Sequence, residues 1–183
     1  MRPDNTSRLR LQHLARGALL AALYAGLTLA LAGISFQAVQ IRVAEALTVV
    51  PFFYPEAIWG LFLGVLLANL ASPFGWIDLL FGSLLTLVAA GITRGIGILL
   101  RPHLGRASGM ALALAIAPLP AVLCNGFGVS AYLLQFGLLS GYTYWAVTFA
   151  ILVGELIACY LLGGPLLAFL IVRYRKTGES NAI

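Results

Sequence analysis

The stretch AVQIRVAEALTVVPFF, residues 38–53, decides the fold. It is apolar enough for a short or tilted membrane crossing, yet it carries Gln40, Arg42 and Glu45 in its first half. On either side, apolar continuity and breaker residues predict helices near residues 14–34, 55–71, 76–100, 109–136 and 143–172. Cations cluster at three places: Arg2, Arg8, Arg10 and Arg16 before the first run, Arg101 and Arg106 in a loop, and Arg173, Arg175 and Lys176 after the last run. Five crossings would put the second and third clusters outside. A sixth crossing at 38–53 brings all three to the cytoplasm, as the positive-inside tendency asks. The expectation is therefore six spans with both termini cytoplasmic in the cell membrane.

Composition agrees with a membrane origin. The chain of 183 residues is 61% hydrophobic and 9% charged, with mean hydropathy +0.99. A soluble domain lies nearer half apolar and a quarter charged. A helical span takes about 20 residues, so the length fills one membrane domain, residues 1–183. The tails, at about 1–10 and 176–183, are expected to be mobile. A transmembrane barrel would alternate apolar and polar residues over strands of about ten, and these runs are continuous. The fold class expected is an all-α integral membrane protein, a six-transmembrane-helix bundle. The last two runs exceed a simple span, and breaks are expected at Pro118 and Pro120 and at Gly163-Gly164-Pro165. The run from about 17 to 34 ends in Ala30-Leu31-Ala32, like a signal-peptide cleavage site, but it is longer than a signal core and reads as a retained helix.

An ionised side chain at the bilayer centre costs from about 2.5 kcal/mol upward, so each one inside a span needs a reason. The set is Arg42, Glu45, Asp78, Arg94 and Glu155, with Gln40, Asn69 and Asn125 as neutral companions. In the six-span topology Gln40, Arg42, Glu45, Asn69 and Asp78 fall in the outer half, and Asn125 and Glu155 lie toward the middle of the last two helices. Arg94 is expected to snorkel to the cytoplasmic surface, and Glu56 reads as an interface residue. Arg42, Glu45, Thr48 and Val49 follow one helical side. Three carboxylates against one arginine leave about two negative charges over, where a purely structural network would tend toward balance. Such a cavity suits a ligand that brings donors or positive charge. Trp76, Tyr132, Tyr142, Tyr144 and Trp145 either stack on a flat heterocycle or form an interfacial belt.

Helix one carries Ala18, Ala22, Gly26 and Ala30 at steps of four, a spacing that admits close approach of another helix from within the bundle or from a partner. Cys124 and Cys159 read as packing residues and His13 and His103 as solvated ones, so neither a metal site nor a cofactor is expected. Phosphate-binding and hydrolase motifs are absent, Ser83 lacks a nearby His, and no enzymatic activity is expected. Uphill transport would draw on an ion gradient or a separate ATPase.

The run Gln40-Ile41-Arg42-Val43-Ala44-Glu45-Ala46-Leu47-Thr48-Val49-Val50-Pro51-Phe52-Phe53, continuing through Pro55-Glu56-Ala57-Ile58 to Gly64 and Leu67-Ala68-Asn69-Leu70, resembles the signature of the QueT family. So do Asp78 with Phe81-Gly82-Ser83, Pro118-Leu119-Pro120 with Asn125, and Gly154-Glu155, across roughly residues 14–172. Trp59 and Val65 stand where the family more often has Pro and Cys, and neither belongs to the polar set. The resemblance implies a six-helix S component of an energy-coupling factor (ECF) transporter for a queuosine precursor. It implies an outward-facing pocket, a transmembrane coupling subunit and two ABC ATPases as partners, and a coupling contact at Ala18, Ala22 and Gly26. A 7-deazaguanine such as pre-queuosine or queuine presents parallel N–H donors that one carboxylate accepts, and an aminomethyl group adds a cation that calls for a second. The ligand-binding candidates are Gln40, Arg42, Glu45, Asn69, Asp78, Asn125 and Glu155. A second reading, a small ion-coupled transporter using the buried carboxylates, and a third, a membrane assembly subunit, remain beside it.

Overall fold

The computed structural model describes residues 5–35 and 42–177. Among them every regular element is helical. The first helix runs Asn5–Ala30, with one more turn at Ala32–Ser35. It begins inside the stretch expected to be a tail. A 3₁₀ helix follows at Val43–Phe52, then an α-helix at Glu56–Asn69. Three long helices complete the chain: Gly75–His103, Ala107–Gln135 and Tyr144–Thr177. We refer to these six bodies as the first to sixth helices.

Four of the six, the first, fourth, fifth and sixth, are long and apolar enough to cross a bilayer. The expected count of six spans is not matched by six long helices, and the difference lies in residues 42–69. At about 2.0 Å per residue the 3₁₀ helix is about 20 Å long, and the third helix at about 1.5 Å per residue is about 21 Å, each short of a hydrocarbon core of about 30 Å. Pro51 inside the second helix and Pro55 ahead of the third keep both bodies short.

The 3₁₀ helix is nonetheless the centre of the bundle. Ala44 and Leu47 pack with Tyr24, Leu61, Val65 and Ala90, while Val49 and Phe52 pack with Leu104, Ala113, Leu167 and Ile171. Its carboxyl end is held by cations of the fourth helix. Arg101 donates to the Phe52 carbonyl from Nε at 3.1 Å and from its terminal nitrogen at 2.9 Å, and Arg94 donates to the Phe53 carbonyl at 2.9 Å. Carbonyls at a helix end have no partner within the helix, and guanidinium groups supply one. Arg94, expected to snorkel toward the cytoplasmic surface, is part-buried and also serves as a donor to this helix end.

One member of each basic cluster, Arg16, Arg101 and Arg175, lies at this same end. Arg16 lies 3.4 Å from Glu56 and 5.4 Å from the Tyr54 ring centroid, Arg101 covers the Phe53 ring, and Arg175 donates to the Gly105 carbonyl.

The first and third helices cross at glycine. A methyl group at Gly60 would lie 2.6 Å from the Gly17 carbonyl oxygen, a distance real side chains do not reach. Gly60→Leu is expected to lower stability by about 1–3 kcal/mol or more through overpacking, read as a lower unfolding temperature of the detergent-solubilised protein. An unchanged midpoint would mean the two helices do not meet there.

Of the expected breaks, the one at Pro118 and Pro120 is a kink at Ala117–Pro118. The one near Gly163-Gly164-Pro165 takes another form: a wide π-helical stretch, Ile157–Leu162, just before the proline. Pro165 has no N–H and crowds the carbonyl four residues back, and a wider turn relieves that contact.

Candidate functional site

Three π-helical stretches interrupt the long helices: Asp78–Gly82, Cys124–Val129 and Ile157–Leu162. The first two contain Asp78 and Asn125, and the third contains Cys159 and follows Glu155. π-Helical turns are rare and concentrate at functional sites because they shift side chains out of the regular α register. Apolar patterning cannot show them, so the sequence points to the residues without this local cause.

The second helix supplies the other half. With three residues per 3₁₀ turn, Arg42 at its amino end, Glu45 and Thr48 stand above one another on one side. All three are buried. Of the expected face of Arg42, Glu45, Thr48 and Val49, the first three share one side because of the 3₁₀ period, while Val49, one residue past Thr48, packs with Phe52, Leu104 and Leu167 instead.

Around Arg42 lies the first network. Its terminal nitrogen is 3.3 Å from Asp78 Oδ2, and its Nε donates to the Ser35 carbonyl at 3.2 Å. Tyr132 donates its hydroxyl to Asp78 Oδ1, and Asn69 donates through Nδ2 to the Asp78 carbonyl at 2.9 Å. Gly82 makes this possible: a methyl group there would lie 2.8 Å from Asn69 Nδ2 and 3.0 Å from Asp78 Oδ1. Phe81 stacks on Tyr132 at 5.8 Å between ring centroids.

Around Glu45 lies the second. Tyr24, from the first helix, donates its hydroxyl to Glu45 Oε1. Asn125 donates to Glu155 Oε1 at 3.0 Å, and the Cys159 thiol lies 3.5 Å from Glu155 Oε2 and 3.7 Å from Thr48 Oγ1. One ligand atom each from Glu45, Glu155 and Cys159 lie within 4.8 Å of one another, a grouping able to hold a cation. No such grouping was expected from the sequence, where Cys159 reads as packing alone.

Among the described residues, the buried side-chain atoms Ser35 Oγ, Glu45 Oε2, Asn69 Oδ1 and Thr148 Oγ1 have no hydrogen-bond partner. Each of the four can accept a hydrogen bond. A buried acceptor without a donor costs about 1–3 kcal/mol, and Glu45 Oε2 and Asn69 Oδ1, which can only accept, leave that demand in the two networks.

Of the sequence candidates, Arg42, Glu45, Asn69, Asp78, Asn125 and Glu155 are all buried and fall in these two networks, which the second helix joins. Gln40 lies outside the described residues. Of the aromatic candidates, Tyr132 is in the site, while Trp76, Tyr142 and Trp145 are exposed and Tyr144 donates to the Phe127 carbonyl. Tyr24 is not among the sequence candidates; a hydroxyl-tipped ring in the middle of an otherwise apolar, small-residue helix is the available signal. Ala18, Ala22 and Gly26 are exposed, and open space surrounds the Gly26 Cα.

An apolar outer surface around a buried acidic centre, on helices of bilayer length, defines an α-helical integral membrane protein with an internal polar site. The profile of the QueT transporter family matches residues 14–171, most of the chain, and the chain belongs to that family. It is accordingly a transmembrane transport protein, of the substrate-binding S-component type. No curated protein and no solved structure matches it.

Proposed function

We propose that the chain is the S component of an ECF importer that binds a queuosine precursor, a 7-deazaguanine, in the polar centre built on the second helix. The observation that carries this reading is the donor-poor acidic site itself: Glu45 Oε2 and Asn69 Oδ1 are buried without donors, and deazaguanine offers ring and exocyclic N–H groups. The site lies at the amino end of the 3₁₀ helix and one member of each basic cluster lies at its carboxyl end. With the basic end cytoplasmic, the site opens outward and both termini are inside. The second and third helices then act as two short crossings shielded by the four long ones. In this role the chain catalyses no reaction; a coupling subunit and two ABC ATPases supply the energy.

The test is thermal stabilisation of the detergent-solubilised protein by aminomethyl and nitrile deazaguanines, queuine, guanine, thiamine and biotin. A ligand of the folded state stabilises by about 2.7 kcal/mol at one hundred times its Kd. A selective upward shift with a deazaguanine is expected; a flat panel from folded protein would refute the substrate. The proximity of Glu45 to Glu155 is what an ion-coupled carrier would use. Uptake by the isolated chain in liposomes under a pH gradient, without ATPases, would favour that second reading.

A further inference from the structure

The two networks differ in charge. The buried charged side chains among the described residues are Arg42, Glu45, Asp78 and Glu155. Arg42 is bridged to Asp78, whose two carboxylate oxygens are taken by the guanidinium and by the Tyr132 hydroxyl. Asp78 is thus compensated in charge and in hydrogen bonding. Glu45 and Glu155 take hydrogen bonds from the uncharged Tyr24, Asn125 and Cys159, and Arg42, the cation whose field reaches both, is ion-paired with Asp78. Glu45 is 1% exposed, and its Oε2 has no donor at all. Two buried carboxylates need a counter-charge, and one arginine already engaged with Asp78 cannot balance both.

We infer that the Glu45–Glu155 pair is the seat of a primary ammonium group on the ligand, while Asp78, held by Arg42 and Tyr132, takes none of the ligand's charge. This rests on the substrate reading above and adds to it that the ligand is a monocation. An ammonium has three N–H donors and no acceptor. With charge-assisted bonds of about 2.8 Å at a tetrahedral angle, two of its acceptors stand about 4.6 Å apart, and one carboxylate oxygen of Glu45 lies within 4.8 Å of one of Glu155. Glu45 Oε2 is the acceptor left open for it. Among queuosine precursors the aminomethyl deazaguanine carries such a group, whereas the nitrile presents an acceptor to two carboxylates and leaves Glu45 Oε2 unmet.

The experiment compares the Kd of 7-aminomethyl-7-deazaguanine, its N-acetylated form and the 7-cyano compound for the full-length protein and for Glu155→Gln. Sites built around a polar partner reject analogues lacking it strongly, so the amine is expected to bind about 100-fold tighter than either neutral compound. Glu155→Gln is expected to weaken the amine alone and bring that ratio below about 10-fold. The acetylated ligand keeps the test in force on wild-type protein if the variant does not fold. Amine and nitrile binding equally well would overturn the ammonium seat and leave the substrate reading standing; binding of no deazaguanine would overturn both. A ratio unchanged in folded Glu155→Gln, or Zn²⁺ competing for the site and binding more tightly than the amine, would also overturn it.

Discussion

Asp78→Ala is expected to unfold the protein at a much lower temperature and to abolish ligand binding, the largest effect of any single substitution at the site. The carboxylate serves two side chains at once, the Arg42 guanidinium at 3.3 Å and the Tyr132 hydroxyl. Removing one partner of a buried ion pair leaves an uncompensated charge and costs about 3–5 kcal/mol. The Tyr132 hydroxyl would lose its acceptor as well, at about 1–3 kcal/mol more. Asp78→Asn keeps the shape and an acceptor oxygen and is expected to fall between wild type and Ala. The double variant Arg42→Met, Asp78→Leu removes both charges, and replacing a buried pair by apolar residues of similar volume is often neutral. It is expected to recover most of the stability but not the binding, because Tyr132 loses the carboxylate that positions it beside the site. Thermal unfolding of all four proteins checks this. Asp78→Ala melting with wild type would mean that the Arg42–Asp78 bridge holds nothing together.

The same residues show what the sequence reveals and what it hides. Charges inside apolar runs are costly, so Arg42, Glu45, Asp78 and Glu155 stand out from the amino-acid order alone. Their grouping into Arg42–Asp78 and Glu45–Glu155 does not. A spacing of three between Arg42 and Glu45 suggests mutual neutralisation along one helix, yet Arg42 bridges to Asp78 across 36 positions. Long-range pairing depends on which helix faces which, and apolar patterns alone do not encode that. Cys159 and Tyr24 are hidden for a related reason: each belongs to residue types at home in an apolar span, and only the proximity of Glu155 and Glu45 gives them a polar part. Residues 38–53 read as a crossing because apolar content is length-blind to helix type. The 3₁₀ form of Val43–Phe52 comes from its surroundings, a core on all sides and guanidinium groups at its carboxyl end. What carries over best is the placing of a member of each basic cluster at one end, since charge placement follows membrane orientation and not packing detail.

Ala22→Trp is expected to abolish co-purification with the coupling subunit while leaving ligand binding and the melting temperature unchanged. The first helix has two small-residue faces, one turned into the bundle and one exposed, and the proposed coupling contact falls on the exposed one. Gly17 and Ala21 face the third helix, where Gly60 and Gly64 admit close contact. Ala18, Ala22 and Gly26 lie on the exposed side, and a methyl group at Gly26 would meet nothing within 4 Å. Lipid tails are as apolar as leucine, so burial from water gives a membrane helix no reason to associate. Close van der Waals packing does, and small residues at four-residue steps allow it. An indole at Ala22 would hold a partner helix several ångströms away and forfeit most of that contact. Tyr24, on the inner face of the same helix, hydrogen-bonds Glu45, so in the proposed assembly one helix would link the ligand site to the docking surface without either residue set touching the other. Trp at Ala22 therefore separates the two functions where Gly60→Leu, on the inner face, damages the fold itself. Undiminished co-purification of a folded Ala22→Trp protein would remove this face as the docking surface and require the partner to bind elsewhere on the bundle.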